Sequence, residues 1–573
     1  MKFDRKLTAL FLSGALLLSL AACGGTGGSS AAASPEPSAS PSASDSADAS
    51  ASTSGSVSGS ATQPDDGYEA EGAVALTFSD SGITGSGEGF EIDGTALTII
   101  AAGTYLLSGS CADGSVKVKK GVTGVTLVLS GLTLTSADTA PITCAKSSGV
   151  TIVAAAGTVN TLTDAAQNND DNYPDNENAE NAVIKCKDGS QVTLRGAGTL
   201  NLIANGKNGI KAGATTDEEG TAWLTIRDLT LNIDAPVNDG INAEQLLTIE
   251  SGAITVSAGD DGIHCDLTMN VGAEGTDGPT IVIEQCYEGL EAADLNISSG
   301  DITIHASDDC LNAANSDLSG YAFTLNISGG TVVMDTTGGD GIDSNGSLTI
   351  SGGTVIVWTA NTADNQPLDA DGTISITGGT VLAAGGSAGM GMNLSAGQPY
   401  VIFGSGSFGG FGGGFPGQNG QSGGQSSVSI KAGSTVEIKD ADGSTVYSGA
   451  ALCQAGYVIF SSADLVSGSS YTLYVDGASA AEAIAGTDAM SEGGPGGSFP
   501  GGSFPGGGQF TPPDGSGDGT PPTPPDGSDG TQPTPPSDGS GTPPTPPDGG
   551  NGGQNGQPPA MPGGQQSSDS TNA

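Results

Sequence analysis

The sequence predicts an all-β fold whose central part is a parallel β-helix, a solenoid in which short strands stack coil upon coil. Three elements recur in a constant order through the middle of the chain: a Leu-Thr-Ile strand, a second short strand and an Asp-Gly-Ile-x-Ala element. Successive copies of the third element are 21 to 31 residues apart. Three short strands joined by glycine turns at this spacing are typical of one coil of a β-helix.

The strands alternate an inward Leu, Ile or Val with an outward Thr, Asn or Ser, which is the pattern of a strand buried on one side. The Leu-Thr-Ile strand and its variants recur at residues 224–227, 247–250, 267–270, 295–298, 325–328, 348–351 and 374–377. Apolar runs at 125–129, 150–154 and 192–194 indicate earlier coils, with a cap near residues 73–109. The run 164–181, rich in Asp and Asn, is expected to be a protruding loop.

The rest of the chain divides by composition. Residues 1–23 have a positive start, a short apolar run and Leu-Ala-Ala-Cys, which predicts a lipoprotein signal peptide with a lipobox and a lipidated Cys23. We therefore expect an exported lipoprotein, anchored in the membrane by its N-terminal lipid and facing the cell exterior. The remaining predicted segments are a Ser/Ala-rich flexible linker (24–72), the β-helix (73–400), a Gly-rich linker (401–427), a small β-rich module (428–480) and a disordered Pro/Gly/Ser-rich tail (481–573).

Charge and cysteine content exclude several classes of partner. Asp and Glu number 63 against 15 Lys and Arg, a net charge of -48, so we expect no nucleic-acid partner, because the chain repels phosphate. An acidic polysaccharide would need a divalent cation between itself and such a protein. Seven cysteines besides Cys23 form no CxxC pair, which argues against a zinc site. They are expected to be small buried residues, and the protein is expected to be a monomer.

The third element carries a repeated acid. Stacked coils place equivalent residues about 4.8 Å apart, so the repeat predicts columns of side chains. Two positions before the inward Ile or Leu, the residues are Asn208, Asp239, Asp261, Glu288, Asp309 and Asp340. One position after it, they are Lys211, Asn242, His264, Glu291, Asn312, Asp343 and Asp369. We call these two sets together the acidic column.

Carboxylates this close raise one another's pKa unless a cation lies between them. Between Lys211 and Lys431 the only Lys or Arg is Arg227, and calcium accepts several oxygen ligands, so the column predicts several calcium ions, with backbone carbonyls of the glycine turns completing their shells. The predicted ligands are Asp239, Asp260, Asp261, Glu288, Glu291, Asp308, Asp309, Asp340, Asp343 and Asp369. The alternative is that Asp-Gly serves only as turn chemistry.

These features together resemble a known family. The Asp-Gly-Ile-x-Ala elements, the Leu-Thr-Ile-Ser-Gly-Gly-Thr strands and the opening Ala-Ala-Gly-Thr-Tyr-Leu-Leu-Ser-Gly at 101–109 are similar to the bacterial carbohydrate-binding domain-containing proteins, first described as binders of cellulose and acidic pectin. The resemblance covers about residues 75–400. It implies a right-handed parallel β-helix that binds calcium, is similar in fold to pectate lyases and acts as a binding protein without demonstrated lyase activity.

Three functions stay open at this point. The first is cell-surface binding of acidic plant-type polysaccharide (pectin or polygalacturonate, and also cellulose) with calcium, with Tyr287 and Lys211 as contacts to the sugar. The second is a calcium-dependent polysaccharide lyase, which needs a Lys or Arg of lowered pKa as its base. Near the column only Lys207, Lys211 and Arg227 qualify, and neighbouring carboxylates favour salt bridges instead, so we expect no enzyme. The third is a structural or adhesive protein in which calcium stiffens a stalk.

Overall fold

The computed structural model describes residues 72–214, 222–360, 365–386, 394–404 and 428–487. These residues all belong to one compact unit, Met1–Gly497, and the second unit, Ser498–Ala573, lies outside the described residues. Cys23, the predicted signal peptide and nearly all of both linkers lie outside them too, so lipidation and export stay predictions. Every regular element that the structure describes is a β-strand, which confirms the all-β prediction. The described part contains no helix long and apolar enough to cross a bilayer.

The strands are short, and they follow one another along the whole described chain. The first are β1 Val74–Ser79, β2 Gly82–Gly85, β3 Phe90–Asp93, β4 Ala96–Ile99, β5 Gly103–Cys111, β6 Ser115–Val118, β7 Val125–Ser136, β8 Ile142–Cys144, β9 Gly149–Ala154, β10 Val159–Asp164, β11 Ala182–Cys186, β12 Gln191–Arg195, β13 Thr199–Ile203 and β14 Asn208–Ala212. The next are β15 Trp223–Ile226, β16 Thr230–Ala235, β17 Ile241–Ala243, β18 Leu246–Ile249, β19 Ala253–Ala258, β20 Ile263–Val271, β21 Thr280–Cys286, β22 Leu290–Ile297, β23 Asp301–Ala306, β24 Leu311–Ala313, β25 Thr324–Ile327, β26 Thr331–Thr336 and β27 Ile342–Ser344. The last are β28 Ser347–Ile350, β29 Thr354–Thr359, β30 Ile374–Ile376, β31 Thr380–Gly385, β32 Leu394–Ala396, β33 Tyr400–Phe403, β34 Thr435–Asp440, β35 Thr445–Ala450, β36 Tyr457–Ser462, β37 Ser470–Val475 and β38 Ala478–Ile484.

Most of these strands form one large sheet with mainly parallel pairing. Many strands pair with the strand three elements later, as β10 does with β13, β13 with β16 and β16 with β19. The interval is two elements around β20 and β22, because each of these longer strands contributes to two ladders. The result is three parallel ladders. Ladder 1 contains the Leu-Thr-Ile strands such as β15 and β18, and ladder 2 contains strands such as β16 and β19. Ladder 3 contains the strands of the third element, in the order β6, β8, β11, β14, β17, the first halves of β20 and β22, β24 and β27.

The inward residues of each ladder stack on their counterparts in the next repeat. In ladder 3 this inward column consists of Ile210, Ile241, Ile263, Leu290, Leu311 and Ile342, all with 0% exposure. Burial of one such side chain stabilises the fold by about 1.5–3 kcal/mol. Because strands alternate faces, the same register places the residues on either side of these aliphatic positions on the outer surface.

The glycine of the Asp-Gly pair is required for steric reasons. A Cβ on Gly240 would lie 2.5 Å from the carbonyl oxygen of Gly262, and a Cβ on Gly289 would lie 2.2 Å from that of Cys310. Neither glycine has a positive φ. Glycine is therefore selected here by the close approach of the next repeat, and not by the backbone conformation of a turn.

The predicted elements of the first half are present. The runs at 125–129, 150–154 and 192–194 lie in β7, β9 and β12, which pair in ladder 1, and the run after Asp164 is a loop. Antiparallel pairs β1–β2 and β3–β4 lie at the start of the large sheet. Six of the seven described cysteines are buried and all seven are free, which confirms their prediction as small buried residues.

The last strands of ladder 2 are buried on both faces. Val355 and Val357 of β29 belong to the main core, whereas Trp358 belongs to a second core cluster that also contains Leu382 of β31 and Phe460 of β36. Trp358 is fully buried, as expected for a packing residue. Strand β36 pairs antiparallel with β31 and β33 and so covers the free edge of the large sheet. Strands β34, β35, β37 and β38 form a separate sheet of four.

Candidate acidic site

The second set of the acidic column, one position after the inward residue, lies in register along ladder 3, whereas Asn208 and Asp239 of the first set are buried. Strand pairing joins, in order, Lys211, Asn242, His264, Glu291, Asn312 and Asp343. Asp369 follows, because its N–H donates to the carbonyl of Ile342 at 2.8 Å. The repeat in the sequence thus becomes a continuous line of side chains, as predicted.

Backbone carbonyls of the acidic column accept hydrogen bonds from backbone N–H groups of neighbouring repeats. The carbonyl of Asp261 accepts the N–H of Gly240 at 3.0 Å, that of Glu288 accepts Gly262 at 2.8 Å, and that of Asp309 accepts Gly289 at 2.9 Å. These bonds join one repeat to the next. That carbonyls of the glycine turns complete a calcium shell stays a prediction, because a carbonyl oxygen that accepts one hydrogen bond keeps a second lone pair.

A first cluster forms around His264. Its Nδ1 hydrogen-bonds to Glu291 and lies 3.3 Å from Asp261 Oδ2, and its Nε2 lies 2.9 Å from Asp266 Oδ1. Burial by itself would lower the pKa of His264, but the hydrogen bonds to Asp261, Asp266 and Glu291 raise that pKa to about 12. The imidazole is therefore a cation at neutral pH. It supplies a counter-charge that a count of Lys and Arg alone overlooks.

A second cluster consists of Asp340, Asp343 and Asp369. One oxygen of each of these half-buried carboxylates lies within 4.8 Å of the others. Among the described residues, no ion pair involves Asp340 or Asp343. Burial raises the pKa of Asp340 to about 7, and repulsion from Asp309, Asp369 and Asp343 adds to it, although the N–H of Gln366 opposes the shift. Burial and the charge of Asp369 also raise the pKa of Asp343.

Two buried amide oxygens lie in the repeats on either side of Asp340 and Asp343. Asn312 and Gln366 are 8% and 7% exposed, and within the described structure neither Asn312 Oδ1 nor Gln366 Oε1 has a hydrogen-bond partner. Asn312 stands between Glu291 and Asp343 in the register, and the N–H of Gln366 donates to Asp340 Oδ1 at 2.5 Å. A buried carbonyl oxygen without a partner costs about 1–3 kcal/mol. The three carboxylates of the second cluster offer oxygen ligands, which a hard cation such as calcium prefers.

The other predicted ligands are hydrogen-bonded to protein groups or are exposed at the surface away from the second cluster. Asp239 is buried and accepts hydrogen bonds from Asn242 Nδ2 at 2.6 Å and the N–H of Asp261 at 3.3 Å. Burial, followed by repulsion from Asp261, raises the pKa of Asp239 to about 6. Asp260 is exposed at the surface, and Asp308 is hydrogen-bonded to the phenol of Tyr287.

Glu288 and Asp309 lie between the two clusters. Glu288 accepts Asn312 Nδ2 at 2.9 Å, and burial raises its pKa to about 8 against that hydrogen bond. Asp309 accepts the N–H of Asp340 at 2.6 Å, and burial raises its pKa to about 7. Asn312 was predicted as a member of the column but not as a ligand, and Gln366 and Asp266 were not predicted as members of the site. Gln366 could have been found, because it occupies the Asp340 position of the next repeat.

The two residues predicted to contact the sugar differ in their exposure and in their protein partners. Tyr287 is 47% exposed beside the column, and its hydrogen bond to Asp308 raises the pKa of the phenol to about 12. Lys211 donates to Asn242 Oδ1 at 2.8 Å and pairs with Glu244 at 3.2 Å. Tyr287 therefore presents a ring to solvent, whereas Lys211 is held by its neighbours.

The three cations considered as lyase bases are all in ion pairs. Lys207 pairs with Asp171, Lys211 with Glu244, and Arg227 lies 3.6 Å from Asp228 and 3.8 Å from Glu250. This confirms the salt bridges expected from the sequence.

A lysine of lowered pKa lies elsewhere on ladder 3. Burial lowers the pKa of Lys185, and repulsion from Lys211 adds to that shift. Lys185 stands beside Lys211 in the register and three strand positions before His264. At the usual interstrand spacing that separation is about 14 Å, so Lys185 is remote from both acidic clusters.

Comparison with known proteins places the chain among carbohydrate-binding proteins. A family model described as "Carbohydrate-binding domain-containing protein" matches residues 93–389, just over half of the 573 residues. A protein of the same description from Acetivibrio thermocellus is 34% identical over 124 residues, which are 22% of this chain and 42% of that protein. The chain thus matches less than half of that relative's length.

Among solved structures, a polysaccharide lyase-like protein from C. thermocellum, determined as a gadolinium derivative, also matches. It is 24% identical, covers 53% of this chain and 96% of its own, and has a TM-score of 0.31. A TM-score of this size is too low to establish a common fold.

Proposed function

The chain belongs to the family of carbohydrate-binding domain-containing proteins, and from this premise we propose that it binds acidic plant-type polysaccharide at the cell surface with calcium. The observation that carries the proposal is the second cluster, Asp340, Asp343 and Asp369, with the unpartnered amide oxygens of Asn312 and Gln366 beside it. The proposed polymer is pectin or polygalacturonate. Surface location depends on the predicted lipid anchor at Cys23.

The three ladders support a right-handed parallel β-helix as the scaffold. Strands on both sides of β20–β22 pair with the strand three elements later, as the strands of a three-sided coil would. Connections between parallel strands of one sheet are right-handed in nearly all proteins. Such a scaffold offers a long face to a linear polymer.

The residues of the second cluster fit calcium better than those of the first. Calcium takes six to eight oxygen ligands from carboxylates and amide carbonyls, and Asp340, Asp343, Asp369, Asn312 and Gln366 offer oxygens only. The first cluster already contains a protonated imidazole. We therefore assign the ion to the second cluster, where it would supply the positive charge that a sugar carboxylate requires.

The net charge explains why an ion is needed for an acidic sugar. In a chain of net charge -48, the acidic column repels a polyuronate unless a cation lies between the two sets of carboxylates. Tyr287, exposed beside the column, offers a flat apolar ring with a polar tip on which a sugar ring can rest. The protein residues bind and orient the polymer in this proposal.

The decisive test is polygalacturonate binding by isothermal titration calorimetry, first with calcium and then with EDTA. We expect calcium to strengthen binding at least tenfold, and D340N/D369N to remove that gain because two of three ligand charges are lost. Glu284→Gln, which removes an exposed acid of ladder 2, should bind like the wild type. Equal binding with calcium and EDTA would refute the calcium proposal.

A lyase is the second candidate, and the lowered pKa of Lys185 is the observation in its favour, since a uronate lyase needs such a base. Its distance of about 14 Å from the first cluster, estimated from strand spacing, opposes that role. Unsaturated products absorbing in the ultraviolet would support the lyase. Neither products nor binding would favour a structural protein stiffened by calcium.

A further inference from the structure

The positive charges of this acidic protein are concentrated at one end of ladder 3. Of its 15 Lys and Arg, six lie on or directly after β6, β8 and β11: Lys117, Lys119, Lys120, Lys146, Lys185 and Lys187. We call this set the lysine end.

The lysine end continues the line of the acidic column. Strand pairing joins Lys117 to Thr143, Thr143 to Lys185, and Lys185 to Lys211. The same outward position carries Glu291 and Asp343 in later repeats. One line of side chains therefore changes from basic to acidic along the ladder. Eight strand intervals separate Lys117 from Asp343, which is about 38 Å at the usual spacing.

An open depression of about 460 Å³ lies at the lysine end. It is lined by Glu91, Thr98, Lys117, Lys119, Lys120, Ala145, Lys146 and Lys187. Five of these eight residues are lysines and one is acidic, in a protein where acids outnumber bases about fourfold. The depression thus has the opposite charge to the rest of the molecule.

Only part of this positive charge is neutralised by the protein. Lys146 pairs with Asp188, and Lys187 lies 2.7 Å from Glu180. Lys117, Lys119 and Lys120 are exposed, and no ion pair within the described ranges involves them. Like charges gathered on one surface repel each other and attract an external anion.

We propose that the lysine end binds carboxylate groups of an acidic polysaccharide directly, without a metal ion. The proposal rests on the proposed function, since the ligand is the same polymer. Ammonium groups are compact point charges that approach carboxylates from many directions, which suits a flexible polyuronate. A polymer lying along ladder 3 would meet lysines at one end and the calcium cluster at the other.

The test is binding of polygalacturonate in EDTA, where the calcium contribution is removed. We expect the wild type to retain binding that weakens as salt is added, and K117Q/K120Q to reduce it at least tenfold. K431Q/K439Q removes two lysines from the C-terminal segment and should bind like the wild type. Fully methyl-esterified polygalacturonate, which has no free carboxylate, should not bind at the lysine end.

Two results would overturn the proposal: no binding by the wild type in EDTA, or equal binding by the wild type and K117Q/K120Q. Both are separate from a failure of the proposed function, which would appear as the absence of any gain from calcium. With calcium present, K117Q/K120Q should keep the gain that D340N/D369N loses, so the two variants report on different ends of ladder 3.

Discussion

At the scale of single residues, His264 decides the character of the first cluster. It contacts three carboxylates, those of Asp261, Asp266 and Glu291, and it is the one cation among them. The second cluster occupies the equivalent positions of later repeats and contains no histidine. Two adjacent parts of one column therefore differ in chemistry: the protein supplies one counter-charge to the first, and the second is suited to an external cation.

Substitution of His264 should expose this difference. We expect H264Q to lower the free energy of unfolding in EDTA by about 2 kcal/mol, because partly buried carboxylates lose their counter-charge. Urea denaturation measures the change. The control is H305Q, because His305 is half exposed and pairs only with Asp335, where a loss of about 0.5 kcal/mol or less is expected. Equal effects of the two substitutions would contradict the assigned role of His264.

At the scale of elements, each repeat of ladder 3 depends on close contact with the next. The glycine after the acid leaves room for the following backbone, and the hydrogen bonds between repeats use the carbonyls of the acids themselves. The same short segment therefore sets the strand spacing and positions the acidic side chains. A change in backbone packing here should disturb the site as well as the fold.

Gly289→Ala tests this coupling. Its Cβ would lie 2.2 Å from the carbonyl oxygen of Cys310 and 2.7 Å from Ile304 Cγ2, so we expect a loss of about 3 kcal/mol or more, as for an overpacked core. Gly486→Ala is the control, because its Cβ would meet nothing within 4 Å. Thermal denaturation compares both with the wild type, and similar melting temperatures for all three would show that the ladder can widen freely.

At the scale of the whole molecule, the acidic column should make stability depend on pH and calcium. The pKa values of Glu288, Asp309 and Asp340 are raised to about 8, 7 and 7, so the folded protein holds protons that the unfolded chain releases. The stabilisation of the fold by these protonated carboxyl groups is complete below their ordinary pKa values near 4. It is lost as the pH rises through 7 to 8. The raised pKa of His264 acts in the same direction above pH 6.5.

We therefore expect the chelated protein to lose several kcal/mol of stability between pH 5 and pH 8. Calcium should restore most of this at pH 8 and little at pH 5, where protons compete for the same carboxylates. Scanning calorimetry over this range with EDTA or calcium measures both effects. A melting temperature that rises with pH in EDTA would argue against the buried state of these carboxylates.

The sequence alone predicted the ladders, the inward aliphatic column and the line of acids, because a repeat of constant register places equivalent residues side by side. It also predicted the salt bridges of Lys207 and Lys211 from neighbouring acids. It did not predict the second core around Trp358 and Phe460, because the residues that pack on the outer face of ladder 2 come from a distant part of the chain. It also missed the continuation of the column into Lys117 and Lys185, where the repeat is less regular.

What the sequence determined by itself is therefore the period: which residues share a column and which face they occupy. Only the tertiary structure decided how neighbours in that column meet. Asp340 and Asp343 come from one repeat and Asp369 from the next, and His264 contacts carboxylates of two repeats. Such contacts depend on loop lengths and side-chain directions between repeats, which a sequence period does not contain. The site is a product of stacking, and its charge is set by which side chain each repeat contributes.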